Sequence, residues 1–178
     1  MSEVKYSEQG TALSERYQVI PRTLSFLYRD GRVLFLRGAP DKRLWPNQLN
    51  GIGGHLERDE TPRQGARREI KEETGLEVAS LDLRAIVHVS GRAGDAGIYI
   101  FVFVGQAPSR RARTSVEGTL EWHAMERLPW DEMVADLPHL LPRILPLDGQ
   151  SKDDIVYGRC YAGQDGTMHF LFDDQPKD

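Results

Sequence analysis

Hydrophobic positions gather in two short β-prone runs near the start of the chain, Thr23-Leu-Ser-Phe-Leu-Tyr and Arg32-Val-Leu-Phe-Leu-Arg, separated by the polar turn Arg29-Asp-Gly. Asp-Gly between two β-prone runs is a strong hairpin signal, because both positions accept positive φ. Later runs repeat the strand pattern: Leu83-Arg-Ala-Ile-Val-His-Val-Ser, Gly97-Ile-Tyr-Ile-Phe-Val-Phe-Val and Leu120-Glu-Trp-His-Ala-Met. A closing hairpin is expected from 155–160 and 167–172 around Gly163-Gln-Asp-Gly. Residues 1–15 have no usable period and read as a loose arm. Residues 38–48, with Pro40, Trp45 and Pro46, read as a loop beneath which Trp45 packs. The segment 130–145 reads as partly helical, split or kinked by Pro138 and Pro142.

The pattern changes period between Thr61 and Gly75. Thr61 is a good N-cap, Pro62 falls at the first helical position where its missing N–H costs nothing, and Gln64 completes a capping box. Gly75 supplies a left-handed stop, leaving a helix of about three turns. Strands on both sides of this helix, with a second helical segment late in the chain, predict an α/β domain with a mixed β-sheet between helices.

The helix is not designed for stability alone. Glu69, Glu72 and Glu73 stand at i, i+3 and i+4, where like charges repel by about 0.2–0.5 kcal/mol per pair. Two of them face the negative end of the helix dipole. Arg68 reaches Glu72 at i+4 and relieves part of the conflict; the rest calls for a cation. Mg²⁺ suits a site of a few carboxylate oxygens plus water and substrate phosphate. Three glutamates taken alone read equally as a solvated charged face.

Composition narrows the choices. At 178 residues, 39% hydrophobic and 28% charged, the chain is long enough for one domain (1–178) of ordinary globular type. A net charge of −4 argues against nucleic acid or an acidic membrane as partner. The dense basic run Arg110, Arg111, Arg113 follows a turn-like stretch and reads as a solvated loop. The longest apolar run, 98–104, is far below the roughly 20 residues that span a bilayer. A single cysteine, Cys160, cannot form an internal disulfide, so a cytoplasmic setting is expected. Nothing in the sequence fixes the oligomeric state.

From Gly54 the chain reads G-x5-E-x7-R-E-U-x-E-E-x-G-U, with U aliphatic: Gly54, Glu60, Arg68, Glu69, Ile70, Glu72, Glu73, Gly75, Leu76. With seven residue types fixed, a chance match is on the order of 10⁻⁸ per starting point. The stretch resembles the signature of the Nudix hydrolases, at every fixed position. The resemblance covers about 23–172 and implies an α/β/α sandwich that hydrolyses a nucleoside diphosphate linkage with Mg²⁺ or Mn²⁺. It further implies that Glu69, Glu72 and Glu73 are metal ligands together with the Gly53 carbonyl, and that Glu60 and Arg68 brace the loop against the helix. Glu117, just before a late strand, is expected as a further metal ligand or the base, with Glu121 as its competitor. Glu72, Glu73 and Glu117 make up the expected catalytic set. His55 occupies a position the signature leaves free, His88 reads as a core histidine satisfied by backbone, and Cys160 has no partner that would make it a nucleophile.

Beyond the signature, the chain is similar to the branch acting on oxidised purine nucleoside triphosphates such as 8-oxo-dGTP. Thr23, Asn50-Gly-Ile-Gly-Gly, Glu117, Trp122, Leu128-Pro-Trp and Tyr157-Gly-Arg with Gly163-Gln-Asp carry that likeness. Thr23, Arg37, Asn50 and Asp136 are accordingly the expected substrate-binding residues. Leu137 stands where that branch has a second acid, and Val134 and Leu49 where it has tryptophans, so a more apolar and less discriminating pocket is expected. ADP-ribose, a nucleotide sugar or a dinucleoside polyphosphate is the alternative substrate, and a silent nucleotide-binding module the alternative to an enzyme. The expected partner is a small-molecule nucleotide.

Overall fold

The computed structural model describes residues 16–91, 95–113, 117–147 and 154–173. The arm expected over 1–15 lies outside these. The strands are β1 (Val19–Arg29), β2 (Arg32–Gly38), β3 (Leu49–Asn50), β4 (Asp82–Val89), β5 (Gly97–Gln106), β6 (Gly118–Ala124), β7 (Val156–Ala162) and β8 (Met168–Phe172). The helices are α1 (Pro62–Thr74) and α2 (Leu137–Ile144). One mixed sheet runs β3-β2-β1-β5-β4-β7-β8, with β6 also paired to β2. The pairs β1–β5 and β4–β7 are parallel and the others antiparallel.

Strand alternation builds two cores on the two sheet faces. Phe26, Phe35, Val102 and Val104 pack with Leu137, Leu140, Leu141 and Ile144 of α2. Leu27, Leu34 and Phe103 pack with Ala66 and Ile70 of α1. The sheet is therefore sandwiched between the helices. In α1 the capping box forms between Thr61 and Gln64, and Gly75 ends the helix at φ 70°. The second helix departs from expectation. Pro138 does not split it but lies in its first turn, where no N–H donor is needed, and Pro142 is accommodated within an eight-residue helix. Residues 130–136 contribute only a 3₁₀ turn, Trp130–Glu132.

A local split of the sheet shapes the molecule's cleft. β1 and β2 pair only from Leu27–Leu34 to Arg29–Arg32, next to the Asp30-Gly31 turn. Beyond that point β2 pairs with β3, at Leu36–Asn50 and Arg37–Leu49. The edge of β1 that β2 leaves is taken by the loop after β3. Ser25 N–H donates to Ile52 O at 2.7 Å, Thr23 N–H to Gly54 O at 2.9 Å, and Leu56 N–H to Pro21 O at 3.1 Å. The glycine loop is thus zipped into the sheet like a short extra strand.

Gly53 is where this zip is tightest. Its φ is +156°, and a Cβ there would lie 2.1 Å from the Thr23 carbonyl oxygen. Gly53→Ala should therefore lower unfolding free energy by at least about 1–3 kcal/mol, read by urea denaturation, because backbone rather than a movable side chain is in the way.

Candidate active site

The split opens a cavity of about 550 Å³. Three parts of the fold reach it. β1, β3 and the 133–136 segment supply Thr23, Asn50, Val134 and Asp136; the glycine loop and α1 supply Gly53, Gly54, Glu69 and Glu73; the 38–48 loop and the entry to β6 supply Lys42, Trp45 and Glu117. The 133–136 segment is fixed to β3 by the Val134 N–H bond to Leu49 O at 3.0 Å. Leu24, Leu36 and Ile100 add apolar wall.

Three side-chain atoms of cavity-lining residues are buried without a hydrogen-bond partner, Arg22 Nε, Thr23 Oγ1 and Asp136 Oδ1. Such atoms cost about 1–3 kcal/mol each when left unsatisfied, which is the mark of a surface built to meet a ligand. Burial raises the Asp136 carboxyl above the ordinary carboxylate range, so the protonated form, a donor, comes within reach. Asn50 Oδ1 accepts from Gly51 N–H at 2.8 Å, which orients its amide.

The carboxylates of α1 are arranged around one cation, Arg68. Its Nε and Nη2 meet the two oxygens of Glu60 at 2.7 and 3.1 Å, its Nη1 meets Glu69 at 2.9 Å and Glu72 at 3.1 Å, and Nη2 also donates to His55 O at 3.0 Å. Glu57 N–H adds a bond to Glu60 at 3.1 Å. The pairing of Glu60 with Arg68 thus bridges the loop to the helix. Glu69 lies against Gly54 so closely that a Cβ there would be 2.5 Å from its carboxylate. Glu73 is only 7% exposed and accepts a single long bond, 3.3 Å, from Gly53 N–H. Burial, then the neighbouring Glu69 charge, pushes its carboxyl up to about 7.

Glu72 departs from its helical companions. It does not line the cavity, and its carboxylate is turned to Arg68 and solvent. Among the described residues, no three acidic, histidine or cysteine side chains stand close enough together to hold a metal ion as they lie. The oxygen donors suit a hard ion that keeps much of its water, and one carboxylate, Glu73, is buried with no cationic partner in contact among the described residues.

Of the remaining expected residues, Glu117 reaches the cavity, where its Oε2 lies 2.9 Å from Lys42 Nζ. Its competitor Glu121 does not; it is held by Arg37 and by His123 at 2.9 Å. Arg37 requires a correction, since it does not line the cavity and is not placed to bind substrate. Its guanidinium is consumed by Glu121, by Glu132 at 2.6 Å and by Asn47 O at 2.8 Å. It is a clamp that joins β2 to β6, the 38–48 loop and the 130–132 turn. Trp45, expected to pack beneath its loop, is 46% exposed at the cavity rim with φ 55°. His55 pairs with Arg22 at 3.0 Å, and His88 is satisfied by the Tyr17 hydroxyl at 2.9 Å rather than by backbone. Cys160 is buried with its thiol pushed up to about 12, unsuited to nucleophilic work. The residue that sequence reasoning missed is Lys42, because nothing in a proline-rich loop announces contact with an acid so remote in the chain.

The buried Glu73 gives the metal-free protein a pH dependence of defined sign. Its folded pKa lies above the ordinary 4.5, so the stability tied to its protonation is complete below about pH 4.5 and is lost as pH rises through about 7. The expected loss is of the order of 3 kcal/mol. Thermal melts in chelator from pH 5 to 8.5 should show this decline in the wild type and a flatter profile in Glu73→Gln.

Sequence comparison matches a NUDIX domain over residues 20–144. The chain is 28% identical to an oxidized purine nucleoside triphosphate hydrolase of Danio rerio over 64% of its length and 72% of that protein. It is 39% identical to a MutT-like protein of Streptomyces ambofaciens over 51% of its length and 53% of that protein. Among solved structures, a MutT protein from Bacillus halodurans matches at TM-score 0.72 with 21% identity, covering 89% of this chain and all of that one. A MutT NUDIX hydrolase from Burkholderia pseudomallei matches at TM-score 0.62 with 21% identity, over 72% of this chain and 99% of that one. With the domain match spanning most of the chain, the same sheet and helix arrangement, and an intact signature helix, the protein belongs to the Nudix family and is a pyrophosphohydrolase.

Proposed function

We propose that the protein, as one domain in a cytoplasmic setting, hydrolyses a purine nucleoside triphosphate, oxidised forms included, to the monophosphate and pyrophosphate. The observation that carries this is the pair of buried, unpartnered oxygens, Thr23 Oγ1 and Asp136 Oδ1, lining the same cavity as Asn50 and the α1 carboxylates. A base needs polar contacts to its edge and apolar contacts to its faces. Thr23, Asn50 and Asp136 offer the first, and Leu24, Ile100 and Val134 the second. The hydrolases of Danio rerio and Mus musculus named for oxidised purine nucleoside triphosphates support the same reading.

Glu69, Glu72 and Glu73, the Gly53 carbonyl and Glu117 would hold Mg²⁺ or Mn²⁺. When bound, the metal neutralises phosphate oxygens and makes water a better nucleophile. Arg68 keeps Glu69 pre-oriented, and Glu60 keeps Arg68 in place. Gly53 and Gly54 let the backbone approach the polyphosphate without a side chain in the way. Glu117 stands on the cavity wall to take the proton of a water that attacks an internal phosphorus.

Glu72→Gln and Glu73→Gln should each fold and lose about two orders of magnitude or more in kcat/KM. Wild-type turnover by both would remove the ligand assignment. Glu72 is the sharper case, since it reaches the site only by leaving Arg68.

Substrate is tested by a kinetic panel of oxidised and normal purine and pyrimidine triphosphates, with ADP-ribose, a nucleotide sugar and a dinucleoside polyphosphate as competitors. Purine triphosphates should win, and the oxidised form should lead the normal one only modestly. Leu137 in place of a second acid removes one discriminating contact, worth about 1–3 kcal/mol when buried. Products formed in ¹⁸O-water should be monophosphate and pyrophosphate, and orthophosphate as first product would refute the assigned point of attack.

A further inference from the structure

Lys42 is used by none of the steps above, yet it stands among the groups that perform them. Its ammonium lies 2.9 Å from Glu117, and both side chains line the cavity with Glu69 and Glu73. The pair is 37% and 47% exposed, so solvent screens it and the fold does not depend on it. Loop geometry leaves the side chain movable. The ends of the loop are tied by Gly38 N–H to Gln48 O and Asn47 N–H to Gly38 O, both 3.0 Å, and Ala39 N–H to Glu117 O at 3.4 Å. Lys42 itself sits inside these ties, its backbone held by one turn bond to Ala39 O at 3.1 Å. Its field also reaches Glu73, where it opposes the effects of burial and of Glu69.

We propose that Lys42 is an exchangeable counter-ion of the acidic wall, which a divalent cation displaces from Glu117 and which then pairs with the phosphate oxygens of the substrate. The proposal rests on the metal-dependent reading above. A compact ammonium on a flexible four-carbon stem is suited to the exchange, since it binds carboxylate and phosphate alike as a point charge. The exchange is inexpensive because the bridge it breaks is weak and solvent-screened. The same residue thereby serves two states: it limits repulsion among Glu69, Glu73 and Glu117 without metal, and adds positive charge to the polyphosphate once metal is bound.

The test is calorimetric. Mn²⁺ is titrated into metal-free wild type, Lys42→Met and Arg43→Met, and inorganic pyrophosphate into the same proteins at saturating Mg²⁺. Arg43, the next residue, also lines the cavity and controls for a general change in charge. Lys42→Met should melt like the wild type, bind Mn²⁺ about 2–5-fold more tightly and bind pyrophosphate about tenfold more weakly. Arg43→Met should leave Mn²⁺ affinity unchanged. Equal Mn²⁺ affinity in wild type and Lys42→Met, an equal gain in Arg43→Met, or undiminished pyrophosphate binding by Lys42→Met would overturn the proposal alone. Absence of Mn²⁺ binding by the wild type would overturn the metal-dependent reading, and this proposal with it.

Discussion

One guanidinium holds the site together. Arg68 meets carboxylate oxygens of Glu60, Glu69 and Glu72 and the carbonyl of His55, joining loop and helix at a single point. A planar group with five donors in fixed directions serves all four of these groups at once, more than the three donors of an ammonium can. The electrostatic conflict of three glutamates on one helix face is thereby contained for two of them. Glu73 is left out of the arrangement, buried beside the glycine loop with its carboxyl pushed up to about 7. The part of the conflict that Arg68 does not resolve is the part available for function.

The position of that conflict follows from the sheet. β1 continues where β2 turns away, and the glycine loop replaces β2 along the exposed edge of β1. Backbone pairing thus brings Gly53 and Gly54 against α1 on one side and Thr23 on the other. The cavity is a consequence of pairing that separates into two branches. Arg37 closes the far branch by gathering β6, the 38–48 loop and the 130–132 turn. Its side chain shapes the cavity without entering it.

The two ends of the chemistry are built on different terms. Phosphate handling draws on charge and on backbone approach, both largely local to the 53–73 stretch. The cavity wall formed by Thr23, Asn50, Val134 and Asp136 comes from separate elements, whose spacing depends on the Val134 N–H bond to Leu49 O. Leu137, fully buried, packs in the core beside Val134 of the cavity wall.

Local physics made much of this legible in the sequence. Thr61, Pro62, Gln64 and Gly75 set the limits of α1 through capping that needs no tertiary partner. The Asp30-Gly31 turn sets the first hairpin, and runs of β-branched and aromatic residues mark the strands, because such side chains fit a pleated, half-buried surface. The fixed spacing from Gly54 to Leu76 marked the family for the same reason: its residues act within one loop and one helix. Long-range contacts decided what propensity and capping could not. Glu121 and Glu132 engage Arg37, expected at the substrate; Trp45, expected beneath its loop, lies at the rim; Pro138, expected to split a helix, falls in a first turn. Glu117 was separated from Glu121, and Lys42 joined to Glu117, only once β2 had paired with β6. Such outcomes depend on which of several neighbouring side chains is brought to a given space, and that is fixed by strand register across the whole sheet rather than by any stretch of residues.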